Sequence, residues 1–67
     1  MILRVNGEEK TFIGSAVNIA QLLETLGLQC RRTAVEINGV IIDPDLFDAT
    51  RLQDRDAIEI VSFVGGG

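Results

Sequence analysis

Few side chains in this sequence could do covalent chemistry. It has no histidine, tyrosine or tryptophan, and Cys30 is its only cysteine. That inventory excludes Ser-His-Asp and Cys-His nucleophiles and every zinc site built on His/Cys clusters. Two acid pairs remain, Asp43 with Asp45 and Asp54 with Asp56. Both lie in turn-rich stretches, where a carboxylate ordinarily just meets water. Cys30 stands beside Arg31 with no CxxC or Cys-His partner, so it reads as a loop or packing residue. The remaining group of interest is the end of the chain, "SFVGGG", where Gly65, Gly66 and Gly67 follow a strand-like Ser62-Phe63-Val64. One reading is a frayed terminus. The other makes the Gly67 carboxylate the working group, because glycine without a Cβ can enter a narrow channel in whatever backbone conformation is imposed on it.

Composition limits what such a group could serve. A chain of 67 residues is one domain at most, near the size where a single core just suffices. It is not expected to enclose an active site or to turn over a substrate alone. Ten acidic against six basic residues give a net charge of −4, which argues against nucleic acid, whose phosphates demand a basic patch. A basic protein partner is the better electrostatic match. No apolar run approaches the ~18 residues of a membrane helix. The opening "MILRVNGEEK" places charges where a signal peptide would be apolar. One cysteine allows no internal disulfide, and the cytoplasm is the expected compartment.

The elements that would position the tail can be read along the chain. Asn6-Gly7 predicts a type I′ hairpin between strands near 2–6 and 8–13. "VNIAQLLETLGL" predicts a helix. In it Asn18 caps, Gln21 completes a capping box, and Val17 with Leu22 forms a hydrophobic staple. Ile19, Leu22, Leu23 and Leu26 form its dry stripe, and Gly27 with Leu28 suits a Schellman ending. Asn38-Gly39 predicts a second hairpin. Pro44 breaks regular structure, and Leu46, Phe47 and Leu52 are expected to tuck the 43–56 segment against the core. In the last strand, "AIEIVSFV", Ile58 and Ile60 mark the core face, while Glu59, Val61 and Phe63 share the other. Val61 and Phe63 are either a docking patch or are covered by the 43–56 loop. The layout is α+β, one helix on one face of a mixed sheet, over residues 1–64, with a flexible glycine tail at 65–67.

With the hairpin, "NIAQLLETLGL", "AVEING" and the ending "RLQDRDAIEIVSFVGGG", the whole chain resembles the ThiS family. That family comprises small sulfur carriers of thiamine biosynthesis with a ubiquitin-like β-grasp fold. The resemblance implies that a ThiF-like adenylyltransferase uses ATP to convert the Gly67 carboxylate into an acyl-adenylate. Sulfur from a donor such as a cysteine desulfurase then displaces AMP, leaving a thiocarboxylate that thiazole synthase (ThiG) consumes. Gly65 and Gly66 would supply reach, and Val61, Phe63 and Val64 the partner-binding surface, with no bound cofactor or metal. A molybdopterin synthase small subunit, a ubiquitin-like modifier and a plain interaction module are the alternatives. Three features depart from the family's usual pattern. Arg55 occupies the middle of "DRD", where glycine is common, so positive φ there would be strained. The loop "IGSAV" is longer and more apolar than usual. Asp43 and Asp45 flank Pro44, where relatives often carry a basic residue.

Overall fold

Two Asn-Gly dipeptides set the outline. In the computed structural model, which describes residues 1–13 and 17–63, Asn6 and Asn38 take φ of 51° and 50°, and Gly7 and Gly39 take 83° and 88°. Positive φ at both central positions is the type I′ arrangement, whose twist suits paired strands. The first turn joins β1 (Ile2–Val5) to β2 (Glu8–Thr11), and the second joins β3 (Thr33–Ile37) to β4 (Val40–Ile42). Strand β2 is shorter than the sequence suggests. Phe12 adds one further bond, its N–H donating to the Met1 carbonyl at 2.8 Å, but Ile13 is fully exposed.

The last strand, β5 (Ala57–Ser62), inserts between the hairpins. It runs parallel to β1 and antiparallel to β3, giving the order β2-β1-β5-β3-β4. Register sets the faces. Leu3 and Val5 of β1, Val35 of β3 and Ile58 and Ile60 of β5 point into the core. Their alternating neighbours, among them Arg4, Glu59 and Val61, point to the opposite face.

Helix α1 (Ile19–Thr25) lies on the core side and buries Ile19, Leu22 and Leu23. Seven residues are too few for a stable isolated helix, so its ends must be secured. The capping box forms as expected: the Gln21 N–H donates to Asn18 Oδ1 at 2.8 Å, and the Asn18 N–H to Gln21 Oε1 at 2.9 Å. At the other end Gly27 has φ 75°, with Leu28 N–H donating to the Leu23 carbonyl at 2.9 Å and Gly27 N–H to that of Glu24 at 3.0 Å. Those two bonds are the Schellman pair. Asn18 also reaches beyond the helix, its Nδ2 donating to the Asp48 carbonyl at 3.2 Å. Asn18→Ala is therefore expected to cost about 1–2 kcal/mol, the upper part of the range for lost N-caps. A urea midpoint equal to wild type would contradict that.

The remaining first-turn amides find partners far along the chain. Ile19 N–H donates to the Thr50 carbonyl at 3.1 Å and Ala20 N–H to that of Phe47 at 3.3 Å. Leu52 N–H returns a bond to the Val17 carbonyl at 2.8 Å. The 43–56 segment is thus docked on the start of the helix, with Phe47 and Leu52 in the core. Leu46 corrects the expectation made for it. It lies at the end of the 3-10 turn Pro44–Leu46 and is 53% exposed. A 3-10 turn repeats every three residues, so it cannot put adjacent Leu46 and Phe47 on one face.

Two further expectations can be placed. The loop "IGSAV" lies largely outside the described residues, since 14–16 are not among them. Among those described, no helix is long and apolar enough to cross a membrane.

Candidate functional site at the base of the tail

The tail leaves from the central strand, and that strand is gripped on both sides. Where β1 turns away at Asn6, the Asn6 side chain replaces a strand partner. Ile60 N–H donates to Asn6 Oδ1 at 2.7 Å, and Asn6 Nδ2 donates to the Ile60 carbonyl at 3.2 Å. Asn38 grips the start of the same strand, its Oδ1 accepting from Ala57 N–H at 2.9 Å. Each asparagine tolerates the positive φ of its turn, and each also fixes β5. On the β3 side, Phe63 N–H donates to the Arg32 carbonyl at 2.7 Å, carrying the ladder past the end of the strand. Thr33, opposite Ser62, is buried and donates its hydroxyl to the Gln29 carbonyl at 2.6 Å.

The face around this base is open. The 43–56 loop sits on the helix side, so it does not cover Val61 and Phe63, which are 57% and 59% exposed. Ile41, two strands away, is 79% exposed. Ala34, Ile41 and Val61 share a shallow hollow of about 210 Å³ with Glu36 and Glu59. This is an apolar patch beside an acidic row, immediately before the tail. Val64, Gly65, Gly66 and Gly67 lie outside the described residues.

The other candidate groups lie in turns or at the margin of the core. Asp43 Oδ1 accepts from Asp45 N–H at 2.9 Å and starts the 3-10 turn. Asp54 Oδ1 accepts from Ile2 N–H at 2.7 Å. Asp56 accepts from Asn38 Nδ2 and from Gln53 N–H. Three of the four paired acids therefore fix turns and are not merely solvated. Cys30 is a free, half-buried thiol packed against the core. Among the described residues no group of three or more His, Cys, Asp or Glu could hold a metal ion. Arg55 takes φ 74°, so the residue in the middle of "DRD" does stand where glycine would be at ease.

A mixed sheet with a helix across one face, and a central last strand leading to a glycine end, defines a small ubiquitin-like β-grasp protein. The same fold is found in the crystal structure of a thiamine biosynthesis protein (ThiS) from Geobacter metallireducens, with a TM-score of 0.85 and 40% identity over 100% of both chains. The ThiS family model matches residues 3–67. Sulfur carrier protein ThiS of Bacillus subtilis is 38% identical over 66 residues, covering 98% of this chain and 100% of that one. A thiazole synthase of Paramagnetospirillum magneticum is 40% identical over all 67 residues, yet the chain spans only 20% of its length. This chain belongs to the ThiS family.

Proposed function

We propose that the chain is a sulfur carrier of thiamine biosynthesis that bears sulfur on the Gly67 carboxylate. The observation carrying this reading is the match along the full length of the Bacillus subtilis sulfur carrier. A carboxylate is an anion at neutral pH and a poor electrophile, so it needs a leaving group before sulfur can be attached. An adenylyltransferase supplies one: the carboxylate attacks ATP, pyrophosphate leaves, and the acyl-adenylate forms. A persulfide, such as one formed on a cysteine desulfurase, then displaces AMP to give an acyl disulfide. A second thiol cleaves its S–S bond, forming a disulfide with the donor's sulfur and releasing the thiocarboxylate. The resulting thiocarboxylate is a softer nucleophile than the carboxylate, and it delivers its sulfur to thiazole synthase. On this reading the chain is a cytoplasmic cosubstrate rather than an enzyme.

Reach supports it. From Ser62 to Gly67 an extended chain spans at most on the order of 20 Å, enough to enter a buried nucleotide site while the folded body stays outside. The wild-type test is incubation with ATP, the adenylyltransferase and a sulfur source. Intact-protein mass spectrometry should then detect replacement of one oxygen by sulfur. No such exchange would overturn the reading.

The open face makes a separate prediction. Phe63→Asp is expected to keep the fold, because the side chain already meets water, and to slow adenylation at least about tenfold, because docking would bury an unpaired carboxylate. Loss of the circular dichroism signal would instead place Phe63 in the core.

A further inference from the structure

The open sheet face has a second hollow, at the end away from the tail. Ile2, Arg4, Glu9, Arg55 and Ala57 line about 160 Å³ there. The chain is acidic overall, yet two of its six basic residues meet at this one depression. Arg4 forms no ion pair with any described residue. Arg55 pairs only loosely with Asp54, at 3.8 Å, and its side chain remains 71% exposed.

Arg55 is held there against its backbone preference. At φ 74° an L-residue is strained, and strain of this kind concentrates where surrounding structure enforces it for a use. The enforcement is visible. Arg55 N–H donates to the Ile2 carbonyl at 2.7 Å, and Ile2 N–H donates to Asp54 Oδ1 at 2.7 Å. The "DRD" turn is therefore pinned to the start of β1, which keeps Arg55 beside Arg4.

We propose that the Arg4–Arg55 hollow receives an acidic side chain of the adenylyltransferase when that enzyme covers the open face to reach the tail. The proposal rests on the function proposed above. A free anion is a poor occupant, because the hollow is shallow and open to solvent and its cations are exposed. A protein that covers the sheet excludes that water and strengthens the same charges. The neighbouring row supplies direction: Glu36 and Glu59 face each other across β3 and β5. A partner shifted along the sheet would bring its acid toward those two carboxylates, and one turned end for end would bury it against Val61 and Phe63; both cost binding free energy. The face thus runs from the two arginines, with Glu9 opposite Arg4 on β2, through the Glu36–Glu59 row to the apolar patch of Val61 and Phe63, and only one orientation of a partner matches all three.

The test is carrier-dependent ATP–pyrophosphate exchange by the adenylyltransferase, with wild type, Arg4→Gln, Arg55→Gly and Arg55→Lys. Removing either guanidinium should raise the KM for the carrier about tenfold, the loss falling on KM rather than kcat. Arg55→Lys should recover part of it. Raising KCl should weaken wild type more than either neutral variant. Arg55→Gly should also melt at a higher temperature than wild type, since glycine relieves the positive φ. Greater stability with weaker docking is a combination that a purely structural role would not produce. Unchanged KM in both neutral variants, with wild type active, overturns the hollow's role alone. Absence of exchange with wild type overturns the proposed function, and the hollow's role with it.

Discussion

A chain lacking Gly66 and Gly67 is expected to acquire no sulfur and to melt at the same temperature as the intact chain. The two halves have separate causes. The core is built from side chains between Leu3 and Ile60, so removing two glycines strips no apolar side chain from it. Shortening the tail by two residues withdraws the carboxylate by up to about 7 Å. Misplacing a reacting group by only about 1 Å can already cost on the order of 100-fold in rate. Gly67→Ala should fall between wild type and the truncation, because a methyl group restricts φ and narrows fit without changing reach. Intact-protein mass spectrometry reads sulfur gain, and thermal circular dichroism reads the fold. Sulfur found on the truncated chain would remove Gly67 as the carrier atom and direct attention to Cys30.

Phe47→Ala is the largest stability change expected from a single substitution. Phe47 is among the largest fully buried side chains and sits in the segment that supplies partners to the helix amides. Truncating a buried phenylalanine costs about 3–5 kcal/mol. A domain of this length holds only about 3–10 kcal/mol in total, so the variant should lie at or below the edge of stability. Any transition that remains should fall by upwards of about 12 °C. A shift of only a few degrees would mean that the loop contributes little to the core. That result would also leave unexplained why a seven-residue helix persists.

Local chemistry carried most of what could be read in advance. An Asn-Gly pair fixes its own turn, and Asn18, Gln21 and Gly27 cap a helix with groups within one turn of it. Strand parity put Ile58 and Ile60 inward and Val61 and Phe63 outward, because period two needs no knowledge of partners. What escaped was non-local. The carbonyls of Phe47 and Thr50 take up helix amides, and a backbone acceptor leaves no mark on residue type. The side chains of Asn6 and Asn38 reach β5, but their turns already account for finding asparagine there, so the second role was hidden. Leu46 was misplaced because hydrophobicity alone cannot tell which of two adjacent apolar residues a 3-10 turn faces inward. The exposed apolar patch of Val61 and Phe63 was legible from parity. The arginine hollow was not, since Arg4 and Arg55 meet only once β1 and the "DRD" turn are side by side.

The position of β5 governs how this protein comes into being on the ribosome. Of the five strands among the described residues it is the last to be synthesised and the middle one in space. Until it emerges, β1–β2 and β3–β4 are separate two-stranded hairpins, each marginal alone. The bonds that unite them are distant in sequence; Asn6 and Ile60 are 54 positions apart. Closure over that span is entropically slow, and it arrives as one late event rather than by gradual accretion. A nascent chain therefore has no sheet to offer a partner. The strand that leads into the glycine tail is the same strand that completes the fold, so the tail gains a fixed base only in molecules that have finished folding.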